Sequence, residues 1–236
     1  MKIQGSTAFV TGANRGLGLA YARALLAAGA SKVYAGARDP ASVPLLKGLV
    51  PVKFDVNDAG DIAAAVAQCT DVNLLINNAG VIGGEPLLGA RGEDALREVL
   101  DTNLHGVLAT SRAFAPVLGA NGGGVLVNML SALSWASLPA SSAYSVSKAA
   151  AWALTNGLRN ELRGQGTLVV GVHAGYIDTD MVKDVEGPKS RPEDIVQAVL
   201  AGIEAGAPEV LADDTARYIK AGFGASPSLY LGGVPG

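Results

Sequence analysis

The chain has 236 residues, 49% of them apolar, with 18 Lys and Arg against 21 Asp and Glu and a formal charge of −3. That mild acidity, without a Lys/Arg cluster, argues against a nucleic-acid partner, and no apolar run is long enough to cross a bilayer as a helix. The amino terminus runs toward a first strand without a secretory apolar segment, so a soluble, cytoplasmic, single-domain α/β protein over residues 1–236 is expected.

Short apolar runs rich in β-branched residues alternate with longer amphipathic segments. They predict strands at Thr7–Thr11, Lys32–Ala37, Val50–Asp55, Val72–Asn77, Gly124–Met129, Leu168–Ala174 and Glu209–Leu211. Helices are predicted around Leu17–Ala28, Asp58–Cys69, Glu93–Leu118, Ser142–Arg163 and Arg191–Ala205. Continuous apolar strands joined by helical crossovers imply a parallel sheet covered on both faces, a doubly wound α/β fold of about seven strands. The Gly- and Pro-containing tail from Gly222 onward reads as a surface or interface arm. Cys69, the one cysteine, falls on the apolar side of its helix and reads as a buried, inert thiol. Cys69, His105 and His173 are scattered, without zinc-site spacing, and no metal is expected. His105 reads as an ordinary helical residue and His173 as strand-end packing.

In such a sheet ligands bind beyond the carboxyl ends of the strands, where the strand order switches. The segment Thr11-Gly12-Ala13-Asn14-Arg15-Gly16-Leu17-Gly18 lies there, between the first strand and the first helix. Glycines permit a tight turn and close backbone approach to a pyrophosphate, and the helix start offers free N–H groups and a partial positive charge. Gly12, Asn14, Arg15, Gly16, Leu17 and Gly18 are therefore candidate cofactor contacts. The second strand ends at Ala37, followed by Arg38 and Asp39. An acid at that strand end would grip the ribose of NAD, whereas an Arg accommodates the 2′-phosphate of NADP. Arg38, with Arg15 in the loop, favours NADP(H) over NAD(H), since guanidinium binds phosphate oxygens bidentately. Asp39 leaves NAD open if it turns inward.

Tyr144 and Lys148 lie four residues apart at the start of a predicted helix. That spacing sets a phenol and an ammonium on one face, with Cβ atoms roughly 5–6 Å apart. A cation beside a phenol stabilises the phenolate, and lowering its pKa by about three units requires roughly 4 kcal/mol. The pair suits a tyrosine general acid–base.

The Gly loop, Asn77-Asn78-Ala79-Gly80 and the Tyr144/Lys148 pair together resemble the short-chain dehydrogenase/reductase family, from Thr7 to about Thr179. Ser131, 13 residues before Tyr144, and Asn103 fit the same pattern. The resemblance implies a Rossmann-like fold and a catalytic set of Asn103, Ser131, Tyr144 and Lys148. It also implies that Asp55 and Val56 flank the adenine, that Asn78 and Gly80 lie along the cofactor, and that Lys148 binds the ribose beside Tyr144. After the sixth strand, Ile177 and Thr179 would meet the carboxamide and the phosphates, although Ala174 stands where the family usually has proline. The implied reaction is reversible hydride transfer, with Ser131 holding the substrate oxygen, Tyr144 exchanging its proton, and Asn103 anchoring a water beside Lys148.

The substrate pocket is expected from the loops after strands five and six, at Leu133, Trp135, Leu138, Tyr176, Met181 and Val182. These are apolar and aromatic, which points to a small hydrophobic ketone, aldehyde or alcohol. The short stretch from Thr179 to Arg191 leaves an open cleft. Apolar residues nearly all round the helix at Ala149–Leu154 predict a subunit contact, hence a homodimer or homotetramer. The competing reading is a catalytically idle NADP-binding redox sensor.

Overall fold

A computed structural model describes residues 1–83, 85–138, 141–226 and 228–232. Seven parallel strands form one sheet in a single α/β domain: β1 (Thr7–Thr11), β2 (Lys32–Ala37), β3 (Leu49–Lys53), β4 (Leu74–Asn77), β5 (Val125–Met129), β6 (Leu168–His173) and β7 (Glu209–Leu211). Their order is β3-β2-β1-β4-β5-β6-β7, so the chain reverses its direction of travel between β1 and β4. The central strands β1, β4 and β5 are buried at every position, because helices cover both faces. The edge strand β3 instead alternates, and carries Pro51, whose missing N–H an edge tolerates.

The period of two along each strand divides the core. Ala8, Val10, Ile76, Val127 and Val172 face α1 (Gly16–Ala27) and α6 (Pro192–Ala205), while Phe9, Leu75, Leu126 and Val169 face the other layer. That second layer comprises α2 (Ala59–Gln68), α4 (Val107–Ala120) and α5 (Ser142–Glu161). Phe9 anchors it, with Phe114 and Phe54 ring centroids 4.8 and 4.9 Å away. Cys69 is buried there as a free thiol, its pKa pushed up to about 12 chiefly by burial.

Four elements depart from the sequence expectation. The third strand stops at Lys53 and the fourth begins at Leu74, each two residues short of the apolar run. The predicted helix Glu93–Leu118 is α3 (Gly92–Leu100), a π-helical turn over Asp101–Gly106, and then α4. At that turn a Cβ on Gly106 would come within 2.8 Å of Val56, so the widened turn meets the end of the sheet at a glycine. A further helix, α7 (Asp214–Ala221), follows β7, with Asp213 capping it by accepting from Ala216 N at 2.8 Å. Of the tail, a short turn at Gly222–Gly224 and α8 (Leu229–Gly232) are described, and Phe223 packs edge-on at 6.1 Å from Trp135; residues 227 and 233–236 lie outside the described residues. Among the described residues no helix is long and apolar enough to cross a membrane, and no cluster of side chains could hold a metal ion.

Candidate active site

The carboxyl ends of β1 and β4, where the strand order reverses, carry the Gly loop and the Asn-Asn-Ala-Gly segment. Gly12 and Gly16 have φ of +67° and +53°, in the left-handed region that glycine adopts without strain. Gly18 is required for space: a Cβ there would stand 2.0 Å from the Gly12 carbonyl oxygen. No side chain caps the start of α1, so its leading N–H groups at Gly16, Leu17 and Gly18 face the cleft uncapped. Left-handed glycines, a cradle a Cβ would fill and an uncapped helix start together fit the pyrophosphate of a nicotinamide dinucleotide.

The neighbouring residues hold this loop from several sides. Thr11 Oγ1 accepts hydrogen bonds from Asn78 N and Ala79 N, both at 2.9 Å, and the Asn78 amide donates to Thr11 O at 2.9 Å. The Asn78 side chain is thus a buttress of the loop. Asn14 donates to Ser42 Oγ at 3.1 Å, on the β2 side. Arg15 turns the other way and pairs with Asp180 after β6, at 3.2 Å. Arg38 stands exposed at the end of β2, with no hydrogen bond or ion pair among the described residues. Asp39 does not turn inward: its carboxylate accepts from Ala41 N at 3.0 Å and caps the turn Pro40–Ser42. Asp55 similarly accepts from Asn57 N at 3.0 Å, and Val56 packs on Gly106. Thr179 donates to Ile177 O at 3.2 Å, and a Cβ on Gly16 would lie 3.4 Å from Thr179 Cγ2.

Asn103, Ser131, Tyr144 and Lys148 gather at the ends of β4 and β5. Lys148 is only 5% exposed and donates to the Met129 carbonyl at 2.8 Å, with its ammonium 5.5 Å from the Tyr144 ring centroid. Asn103, in the π-helical turn, is fully buried; its amide donates to Val81 O at 2.9 Å and Ser147 Oγ at 3.0 Å, and its oxygen accepts from Val81 N at 2.9 Å. Gly80 makes room for both: a Cβ there would approach Asn103 Oδ1 to 3.1 Å and Lys148 Nζ to 3.8 Å. Ser131 opens the turn Ala132–Ser134, its hydroxyl accepting from Leu133 N at 3.1 Å, and it also hydrogen-bonds Tyr144.

Burial pushes the Tyr144 phenol up to about 12, opposed by the Ser131 hydrogen bond and reinforced by the Tyr176 phenol. Burial also lowers Lys148 to about 8. The sequence reading has Lys148 drawing the phenol down; in this arrangement the ammonium is anchored on a carbonyl and desolvation of the phenolate dominates.

Leu133, Leu138 and Tyr176 are half-buried, Met181 is 48% exposed, and Val182 is buried in its own turn. Trp135 departs from the expected pocket wall. Its indole is buried, stacked on His173 at 3.8 Å between centroids, and Lys220 of α7 lies 4.5 Å above its ring. With Ala132, Ala216 and Ile219 it packs the site against α7.

Two supporting residues escape a reading of motifs. His173 is fully buried, and its Nδ1–H donates to the Ser131 carbonyl at 2.9 Å; burial holds the imidazole neutral, at about 4. Asp213 accepts from Gly175 N at 2.7 Å and Ser190 Oγ at 3.2 Å, fixing the segment after β6. The partner of His173 is 42 residues away and those of Asp213 are 38 and 23 away, in elements whose placement no local pattern reveals. For Asp213 the one available signal is an acid heading an amphipathic run.

Residues 6–189 match the family described as short chain dehydrogenase. The chain is 34% identical over 209 residues to "Short chain dehydrogenase tazN" of Aspergillus terreus, covering 81% of this chain but 45% of that protein, so it spans less than half the length of that relative. It is also 34% identical over 218 residues to farnesol dehydrogenase of Aedes aegypti, covering 83% of this chain and 89% of the relative. Among solved structures, a short chain dehydrogenase from Burkholderia cenocepacia in complex with NADP superposes with a TM-score of 0.92 at 41% identity, over 96% of each chain. Fold, motif order and sequence likeness agree over most of the chain, which belongs to the short-chain dehydrogenase/reductase family of oxidoreductases.

Proposed function

We propose that the chain is an NADP(H)-dependent carbonyl reductase or alcohol dehydrogenase, acting on small hydrophobic ketones, aldehydes and alcohols with Tyr144 as general acid–base. The observation that carries this reading is the meeting of Tyr144, Ser131 and Lys148 beside the uncapped, glycine-lined start of α1. When bound, a reduced nicotinamide supplies hydride and an oxidised one accepts it. Gly12, Gly16, Leu17 and Gly18 cradle the pyrophosphate, and the unpartnered Arg38 takes the 2′-phosphate, with Arg15 as its second guanidinium. Asp55 and Val56 would flank the adenine, Gly80 would lie along the cofactor with Asn78 behind it, and Ile177 would meet the carboxamide and Thr179 the phosphates. The NADP in the Burkholderia structure supports this choice of nucleotide.

In reduction, Ser131 donates to the substrate oxygen and fixes its distance, and Tyr144 delivers its proton to that oxygen as it becomes an alkoxide. Lys148 keeps a positive charge below about pH 8, and a water anchored beside it near Asn103 would return the phenol proton from solvent. Leu133, Leu138, Tyr176 and Met181 give the pocket its apolar character. The same reading includes a cytoplasmic location and a homodimer or homotetramer, and Leu108 on α4 and Val146 on α5, each 41% exposed, support the subunit contact. The second reading is an idle NADP-binding sensor, which would keep the nucleotide site without turnover.

Oxidation of NADPH and NADH at equal concentration, with a panel of aryl, cyclic and aliphatic ketones, separates the two. Turnover preferring NADPH, reduced at least about 100-fold in Tyr144→Phe with NADPH affinity unchanged, is the expected result. Tight NADPH binding without turnover of any ketone would move the sensor forward, and near-normal activity in Tyr144→Phe would refute the acid–base role.

A further inference from the structure

The two residues at the head of α1 tie the phosphate loop to opposite flanks of the site. Asn14 binds Ser42 on the β2 side, and Arg15 binds Asp180 on the β6 side. In the strand order, β2 and β6 lie on either side of the β1/β4 switch point. The adenosine ribose of a dinucleotide belongs at the end of β2 in this class of sheet. Arg38 waits there alone, while the guanidinium of Arg15 is drawn to the far flank.

We propose that Asp180 sets the nucleotide preference of the site by holding Arg15 away from an adenosine 2′-phosphate. The inference rests on the NADP(H) reading and names a residue that tunes it. One guanidinium faces two competing anions, the Asp180 carboxylate and the incoming phosphate. The carboxylate is already in place beside the loop: Gly16 and Thr179, the neighbours of the pair, face each other so closely that a Cβ on Gly16 would stand 3.4 Å from Thr179 Cγ2. The pair is nonetheless exchangeable: its side chains are 70% and 77% exposed, and an exposed ion pair is weak. A phosphate of higher charge, binding bidentately, displaces the carboxylate at a cost in affinity. NADH lacks that phosphate and leaves the pair closed. Asp180 thereby narrows the gap between the two nucleotides and leaves Arg38 to supply the basal discrimination.

The test is calorimetric titration of the full chain with NADPH and with NADH, in wild type, Asp180→Asn, Arg15→Ala and the double variant. Asp180→Asn is expected to tighten NADPH by about two- to five-fold, the size an exposed pair supports, with NADH unchanged. That gain is expected to vanish in the Arg15→Ala background and to shrink with added salt. Equal tightening of both nucleotides would mean that Asp180 acts only through its general field and would overturn the proposal. So would a gain that persists without Arg15, or no gain at all. Failure of wild type to bind either nucleotide would instead bring down the NADP(H) reading itself.

Discussion

Thr11→Val isolates the joint between the Gly loop and the candidate catalytic end of the sheet. The side chain is nearly isosteric and β-branched, so β1 keeps its packing and backbone preference. What is lost is one oxygen that accepts from both Asn78 N and Ala79 N at 2.9 Å. A buried donor left without a partner costs about 1–3 kcal/mol. Both amides are only part-buried, so water recovers some of that, and about 2 kcal/mol in total is the reasoned figure, with about 5 as a ceiling. For a chain of this length that corresponds to a melting temperature lower by about 4–8 °C. Urea unfolding followed by circular dichroism should show a lower midpoint at constant slope. Nucleotide affinity should fall with it, because the released segment carries Gly80 against Asn103 and Lys148. Thr11→Ser keeps the acceptor and loses only a methyl, at about 1 kcal/mol. If Thr11→Val were as stable as wild type, or if Thr11→Ser cost as much, the hydroxyl would not be the joint described.

Gly18→Ala should weaken nucleotide binding at least about tenfold, since its Cβ meets the backbone oxygen of Gly12, whereas Gly157→Ala, in open space on α5, should raise stability by about 0.5–1 kcal/mol; titration and melting curves check both. His173 is held neutral in the fold, at about 4 against an ordinary 6.5, so its contribution is complete above pH 6.5 and is lost as pH falls toward 4. His173→Asn, whose amide can still donate to the Ser131 carbonyl, should flatten that acid slope; an unchanged slope between pH 6.5 and 4 would assign it elsewhere. Lys148 titrates near 8 in the fold against 10.5 when free, so the unfolded chain binds more protons between those values. The wild type should therefore gain stability relative to Lys148→Met between pH 8 and 10.5, and equal denaturant midpoints for the pair at both ends would refute the desolvation argument.

The sheet was legible because its central strands are apolar on both faces, which only a helix-covered parallel sheet explains. The strand ends were less so: β3 ends at Lys53, yet Phe54 extends its apolar pattern and still donates to Ala37 O of β2 at 2.9 Å. The helix predicted over Glu93–Leu118 concealed the π-helical turn, since a 3.6-residue period does not register one extra residue in a turn. The turn shows itself through Asn103, whose side chain replaces local helix contacts with bonds to Val81 and Ser147. The candidates Asn103, Ser131, Tyr144 and Lys148 were readable from motif order, and the fold brings all four to the ends of β4 and β5. The surroundings of Trp135 were not, because its stacking partner is His173 and its cation is Lys220 on a helix the apolar pattern did not reveal. The partner of Arg15 was hidden for a similar reason: its carboxylate, Asp180, lies 165 positions along the chain.

Trp135 has one more consequence. The chain has two tryptophans, and Trp152 stands edge-on to Trp135 with centroids 6.3 Å apart, so its intrinsic fluorescence arises from a single locality. One indole of that pair lies on an imidazole whose Nδ1–H holds the carbonyl of Ser131 and whose Nε2 stands 3.7 Å from Glu209. Protonated imidazole quenches indole emission, and a shift of the Ser131 turn alters the overlap of the stacked rings. The protein therefore carries a native optical probe next to its proposed catalytic serine, readable without label or substrate. Its intensity should follow the ionisation of His173 in acid and any movement of the Ser131 turn when nucleotide is added.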